Sequence, residues 1–226
     1  ASGATRWEVE TETGIQVAPG VEGGCCVAIT PPGRLYGVDA RTGEQQWTAD
    51  LPGYPERWIY SSPAVCGAPG SSLVYAGSNA GWGAFDGATG TSLWYSSFVG
   101  DATRIIDKPS GANGLIIDDR LILLIPKRGL VALDRHTGQQ LWERILGVHH
   151  YWATPILAGE EIVTGGDHGV LAVLRVDNGA VQHQWKLPEG EYPTGLASKG
   201  DRLFVAMPNG TVCAIRLEDG ELLWSF

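Results

Sequence analysis

The chain has 226 residues, 43% of them hydrophobic, with 32 glycines and a formal net charge of −9. That length holds a substantial apolar core, and the interleaved acidic and basic residues argue against a nucleic-acid partner. No apolar run reaches the roughly 20 residues of a membrane-spanning helix. Residues 1–6 do not read as a signal peptide, and Cys25, Cys26, Cys66 and Cys213 are too scattered for a disulfide scaffold.

Repeats organise the chain. Residues 5–9 read as an outer strand carrying Trp7 after Ser2-Gly3. Residues 24–29 read as a second strand with Cys25 and Cys26 on opposite faces, and Asp39-Ala-Arg-Thr-Gly43 as a turn leading to Trp47. In the next unit residues 61–65, 72–75 and 83–85 are predicted strands, Asp86-Gly-Ala-Thr-Gly90 is the turn, and Trp94 follows. Asp134-Arg-His-Thr-Gly138 leads to Trp142 at the same spacing. The fourth unit has predicted strands at 152–157, 161–164 and 169–174, and Asn178-Gly179 leads to Trp185 with two extra residues. Residues 203–205, Asp219-Gly220 and Trp224 complete the series. Successive tryptophans stand 40, 47, 48, 43 and 39 residues apart, the length of one four-stranded propeller blade.

Alternating and β-branched apolar runs bounded by Gly, Pro, Asn and Asp are strand and hairpin signals, and no stretch has a helical period. The expected fold is all-β: one β-propeller domain over residues 1–226, with five four-stranded antiparallel blades and one extra N-terminal outer strand. A short turn between the third and fourth strands needs a residue at positive φ, which glycine supplies without a Cβ clash. Asp and Thr ahead of it cap backbone donors. The large faces of Trp7, Trp47, Trp94, Trp142, Trp185 and Trp224 are then expected to dock one blade on the next. Two copies place Arg175 and Arg216 where the others have aspartate, so that cap is not obligatory.

The repeated Asp-x-x-Thr-Gly-x-x-x-Trp element, with Ser61-Ser-Pro-Ala-Val65 and Gly169-Val-Leu-Ala-Val-Leu174, resembles the docking motif of the quinoprotein-type (PQQ-like) propeller family. The resemblance covers nearly the whole chain, and its in-phase repetition makes it specific. It implies a bacterial protein of the periplasm or another extracytoplasmic space. It also implies one of two functions. Some members are dehydrogenases carrying pyrroloquinoline quinone and calcium. Others are non-catalytic scaffolds, such as a propeller lipoprotein of bacterial outer-membrane assembly, or sensor domains.

Cys25-Cys26 match the adjacent cysteines that quinoprotein dehydrogenases carry beside the quinone, although a plain second strand explains them better. The family's calcium ligands and catalytic aspartate have no convincing counterpart. The main expectation is therefore a non-catalytic module, with no cofactor and no metal, that binds a protein, peptide or small-molecule ligand. The alternative is a quinone-dependent oxidoreductase, or a fragment of one, using pyrroloquinoline quinone and calcium.

In such a propeller the loops entering first strands and those joining second to third strands gather on one face. The first group carries Arg57, Trp58, Arg104, Lys108, His149, His150, Tyr151 and Trp152, and the second Lys127, Arg128, Asp167 and His168. These residues depart from the repeat, so they are free of packing duty and form the candidate ligand face. Histidines beside an aspartate also suit metal or acid–base chemistry, but their spacing does not converge them. Finally, residues 5–9 and 221–226 both read as fourth strands, so the two ends are redundant rather than complementary. Either a five-bladed ring closes on itself with Trp7 in a spare strand, or the chain is part of a larger ring. An open arc of that kind exposes inter-blade surface, and self-association is the leading expectation.

Overall fold

A computed structural model describes residues 3–31, 33–52, 61–68, 70–78, 81–98, 113–125, 128–146, 153–187 and 192–226. They divide into two units, Ala1–Ile105 with His136–Gly138, and Ile106–Arg135 with Gln139–Phe226. The fold is a β-propeller of five four-stranded antiparallel blades, each a meander in chain order.

Unit 1 holds two blades. Blade 1 is β1 (Gly20–Glu22), β2 (Cys25–Thr30), β3 (Arg34–Asp39) and β4 (Gln45–Asp50); blade 2 is β5 (Ala64–Cys66), β6 (Leu73–Ser78), β7 (Gly81–Asp86) and β8 (Ser92–Ser97). Unit 2 holds three. Blade 3 is β9 (Leu115–Ile117), β10 (Arg120–Ile125), β11 (Gly129–Asp134) and β12 (Gln140–Arg144). Blade 4 is β13 (Ile156–Ala158), β14 (Glu161–Gly165), β15 (Val170–Arg175) and β16 (Val181–Lys186). Blade 5 is β17 (Gly195–Lys199), β18 (Arg202–Ala206), β19 (Val212–Arg216) and β20 (Leu222–Ser225).

The two middle strands of each blade are rich in apolar residues, and where two blades of one unit are neighbours these faces bury each other. Val27, Ile29 and Leu35 of blade 1 pack on Val74, Ala76 and Phe85 of blade 2. Ile122, Leu124 and Leu130 of blade 3 meet Ile162, Ala172 and Leu174 of blade 4. Blade 4 turns Val163, Leu171 and Val173 to Leu203, Val205, Cys213 and Ile215 of blade 5.

The turn before the outer strand is built alike in blades 1, 2, 4 and 5. The glycine N–H reaches back four residues, from Gly43 to Asp39 O (2.8 Å), Gly90 to Asp86 O (2.8 Å), Gly179 to Arg175 O (3.0 Å) and Gly220 to Arg216 O (2.9 Å). These glycines stand at φ of 66–76°. Asp39 accepts the Thr42 and Arg41 amides, both at 2.8 Å. Asp86 accepts the Thr89 hydroxyl (2.9 Å) together with the Thr89 and Ala88 amides. These bonds hold both carboxyls below the usual carboxylate range. Where arginine replaces the aspartate, an ion pair takes over the cap. Arg175 is bidentate on Asp177 at 2.9 Å, and Arg216 donates to Asp219 at 2.9 Å.

Beyond each turn the ladder shifts register by one bulge, between Gly37/Val38, Ala84/Phe85, Ala132/Leu133, Val173/Leu174 and Ala214/Ile215. The bulge sets Trp47 opposite Gly37, Trp94 opposite Ala84 and Trp142 opposite Ala132. A small residue is needed there because the indole folds back over the third strand. A Cβ on Gly37 would overlap the Trp47 ring. The far side of the ring then meets the next turn. A Cβ on Gly90 would lie 2.5 Å from Trp47, one on Gly138 2.5 Å from Trp94, and one on Gly179 2.5 Å from Trp142. Trp47 Nε1 donates to Gly87 O (2.8 Å) and Trp142 Nε1 to Val176 O (3.1 Å), each carbonyl three residues before its glycine.

Blade 4 departs from this scheme, which accounts for its two extra residues. Val173 stands where the others have Gly or Ala, and His183 is opposite it. The branched side chain leaves no bed for an indole. Trp185, two positions on and on the same face, docks on Gly220 instead, with the His183 ring stacked on it at 5.6 Å and 9°.

The N-terminal segment also differs from expectation. Residues 3–10 pair with no strand among the described residues, since an outer strand needs the free edge of its own third strand. Trp7 still takes a docking place: Nε1 donates to Ala40 O (3.2 Å), and a Cβ on Gly43 would lie 2.6 Å from the ring.

Trp47 is only 7% exposed, whereas Leu93, next to a docking tryptophan, is 51% exposed. Trp47→Ala is expected to cost about 3–5 kcal/mol in equilibrium urea unfolding, and Leu93→Ala less than about 0.5 kcal/mol. Equal losses at the two positions would show that the docked indole does not hold the blades.

Candidate functional site

Three of the twelve loop-face candidates fall within the described residues: Arg128, Asp167 and His168. Arg57, Trp58, Arg104, Lys108, Lys127, His149, His150, Tyr151 and Trp152 lie outside them. The three described residues sit on equivalent connections, between the second and third strands of blades 3 and 4.

Arg128 closes the link from β10 to β11, its N–H donating to Ile125 O at 3.1 Å. Its side chain turns onto its own blade. Nε donates to Glu143 Oε1 (2.8 Å), while Nη2 reaches Glu143 Oε2 and Gln140 Oε1 (3.0 Å). Glu143 stands opposite Val131 on the outer strand, so the pair ties the loop to β12. The Arg128 hydrogen bonds hold the Glu143 carboxyl below the usual range. With its fork committed to Glu143, Arg128 positions the loop rather than offering a guanidinium to an anion.

Asp167 and His168 form a single 3-10 turn, Asp167–Gly169, between β14 and β15. His168 holds φ at 60° and Gly169 at 70°, two successive left-handed residues that reverse the chain sharply. The turn is pinned at both ends, by Gly166 N–H to Val170 O (2.9 Å) and by Leu187 N–H to Gly169 O (2.7 Å). His168 is exposed and Asp167 half-buried, so the imidazole is carried on a rigid tip facing solvent. Among the described residues no three His, Cys, Asp or Glu side chains come together as metal ligands would.

Two clefts of the described chain lie elsewhere. One of about 390 Å³ opens between blades 3 and 4, lined by Ile117, Asp118, Arg120, Leu157, Glu160 and Asp177. Another of about 290 Å³ opens between blades 1 and 2 beside Cys25, Asp39, Gln46, Ser72 and Gly87. Both sit beside the turns linking first to second and third to fourth strands, the opposite end of the blades from Arg128 and His168.

The adjacent cysteines are free thiols built into β2. Cys25 faces blade 2 and donates to Gly87 O (3.4 Å), while Cys26, one residue on, points to the other face of the sheet. Burial pushes both thiols up, Cys25 further influenced by Cys26. Two buried side chains on opposite faces of one ladder do not fit the paired cysteines of a quinone site.

A set of contacts not foreseen from the sequence lies two residues beyond the docking position in blades 2, 3 and 4. Ser96 Oγ donates to Gly138 O (2.5 Å), Arg144 Nε donates to Gly179 O (2.8 Å), and Trp185 rests on Gly220. The docking tryptophan covers the glycine, and the residue two further on grips it. In a strand these positions share one face, so the register alone would have found them.

A family model described as outer membrane protein assembly factor BamB matches residues 1–226. The chain belongs to this BamB family. It is 24% identical over 228 residues to outer membrane protein assembly factor BamB of Moranella endobia, covering 95% of this chain and 55% of that one. Among solved structures, BamB from Moraxella catarrhalis superposes with a TM-score of 0.76 at 22% identity, over 97% of this chain and 66% of that one. A quinohemoprotein alcohol dehydrogenase from Pseudomonas putida HK5 gives 0.73 at 16% identity, over 97% and 43%. At these identities the structures share the fold, which is the PQQ-like propeller the repeats pointed to. The chain spans about half the length of the curated relatives it matches.

A depressed Glu143 carboxyl contributes stability above the ordinary glutamate pKa of about 4.3 and loses it as pH falls through the folded value. Both partners are partly exposed, so the pair is worth less than about 1 kcal/mol. The stability gap between the parent and Glu143→Gln, followed by urea unfolding from pH 7 to pH 3, is expected to narrow below about pH 4. A gap constant with pH would detach Glu143 from its ionised role.

Proposed function

We propose that the chain is a non-catalytic propeller scaffold that binds a protein partner through its loop face and serves outer-membrane protein assembly outside the cytoplasm. The observation carrying this reading is the BamB family match, which runs through every repeat from residue 1 to 226. It favours a protein partner over a small ligand or a sensed signal. No helix among the described residues is long and apolar enough to cross a membrane.

The geometry supplies what a scaffold needs. Repeat positions are occupied by inter-blade packing, whereas the links between second and third strands are braced and turned outward. His168 on its pinned turn and the Arg128 loop, held by Glu143, present fixed backbone to a partner. Preorganised loops lower the ordering cost of binding.

A photo-crosslinking side chain at His168, compared with one at Glu160 on the opposite end of blade 4, tests the reading in living cells. The expected result is an adduct at His168 with a component of outer-membrane protein assembly, identified by mass spectrometry, and little at Glu160. Equal labelling at both ends, or dye reduction by the chain given pyrroloquinoline quinone and calcium, would overturn it.

A further inference from the structure

The turn joining first to second strands opens on a glycine at positive φ in blades 1, 4 and 5: Gly23 at 59°, Gly159 at 64° and Gly200 at 61°. Blade 3 puts Asp118 in that place, at φ 48°. Asp118 and His168 are the two non-glycine residues at positive φ among the described residues. Aspartate tolerates the left-handed region better than most side chains, but only glycine enters it without a steric cost. The carboxylate is kept against the preference of the turn.

Two residues on, the start of the second strand also departs from its counterparts. Arg120 stands opposite Asp134 in the register that Cys25 has with Asp39 and Leu73 with Asp86. Cys25 donates to Gly87 O at 3.4 Å. The carbonyl in the matching place beside Arg120 is Val176 O, which takes the Trp142 N–H at 3.1 Å. Arg120 is half-buried and its Nε is closed to solvent, yet the guanidinium meets no acceptor and pairs with no carboxylate among the described residues. Arg34 and Arg135 also leave Nε without an acceptor, but Arg34 reaches Glu12 and Asp50 at 3.9 Å and Arg135 reaches Asp119 at 3.8 Å. A charged donor taken out of water without a partner is costly. Its place in the fold points to an acceptor that comes from outside the chain.

Both departures line one cleft, the opening of about 390 Å³ between blades 3 and 4. Ile117, Leu157 and Val176 give it apolar walls, while Asp118, Glu160 and Asp177 bring carboxylates. Asp177 is held by Arg175 at 2.9 Å. Asp118 and Glu160 are exposed and pair with no cation among the described residues. Nothing stands within 4 Å of where a Cβ on Gly159 would be, so the cleft is open on its blade 4 side.

We infer that this cleft binds a zwitterion with an apolar side chain, of the class of a free amino acid or a short peptide. The ligand's carboxylate pairs with Arg120, its ammonium with Asp118 and Glu160, and its side chain lies on Ile117, Leu157 and Val176. A guanidinium offers a planar fork that matches a carboxylate. A simple anion such as phosphate would meet two like charges beside its one partner, and a metal cation would meet the guanidinium. A molecule carrying both charges satisfies all three groups. The volume lies in the range of about 300–1,000 Å³ that small ligands occupy. The cleft is at the opposite end of the blades from Arg128 and His168, so the inference is independent of the loop-face reading.

Titration of the isotope-labelled chain, followed by amide NMR, tests it with leucyl-leucine, leucine and inorganic phosphate as separate probes. The zwitterions should give saturable shifts confined to residues 117–120, 157–160 and 176–177. Acetylating the ammonium of leucyl-leucine, or amidating its carboxylate, should weaken binding about tenfold, the loss of one charge-assisted hydrogen bond. Arg120→Leu and Asp118→Gly restore what other blades carry at these places, Leu73 and Gly159, so both variants should keep the parent melting temperature. Each should bind leucyl-leucine about tenfold more weakly. Tighter binding of leucine than of leucyl-leucine upholds the inference with a free amino acid as occupant, and the reverse order upholds it with a short peptide. No saturable shift with either zwitterion, affinity unchanged in both variants, or phosphate binding as tightly as leucyl-leucine would overturn the inference.

Discussion

The contact on which this architecture rests is an indole laid over a glycine that cannot carry a Cβ. In blades 1, 2 and 3 the ring is held between a small residue on its own third strand and the glycine of the next turn. Trp47 between Gly37 and Gly90 shows both sides. The indole N–H meets a carbonyl of that turn, so a large apolar surface is buried without stranding its one donor. The bulge before each outer strand aims the ring, and the positive-φ glycine both makes the turn and clears space for the neighbour. One residue thus serves local geometry and blade-to-blade packing together.

This dependence explains how the chain tolerates sequence drift at some positions and not at others. The aspartate opening the turn can be lost, because Arg175 with Asp177 and Arg216 with Asp219 restrain the same backbone by an ion pair. The glycine cannot be replaced so simply, since backbone angle and ring contact both require it. Blade 4 shows the limit of compensation. Once Val173 fills the bed, the tryptophan moves two residues on, His183 stacks against it, and Gly220 is still covered.

Placing the packing in the turns and outer strands leaves the other end of each blade unconstrained by the repeat. There the chain puts braced loops: Arg128 locked to Glu143, and His168 on a turn fixed by backbone bonds. A scaffold of this kind offers rigid, individually varied loops on a uniform support, which suits protein recognition better than a deep pocket. The clefts beside Cys25 and Arg120 lie at the opposite end, and neither brings the loop-face residues together.

The amino-acid order by itself determined the blade, since tryptophan period, glycine offset and alternating apolar runs are local patterns that strand and turn physics convert directly into structure. It also singled out Arg128, Asp167 and His168 as loop residues outside the repeat. Only the tertiary structure decided what those residues do. Arg128 meets Glu143 fifteen residues away, across a strand pairing that no local spacing announces. The same holds for Ser96 on Gly138, Arg144 on Gly179, and His183 in the place of an indole. Residues 3–10 carry the motif of an outer strand and keep its tryptophan contact without the ladder, because pairing depends on a neighbouring edge rather than on the strand's own sequence. Trp224 has the same local signature as Trp47, yet one is exposed and the other buried. Burial belongs to the surface that arrives from elsewhere in the fold, and a repeat unit does not encode its own neighbour.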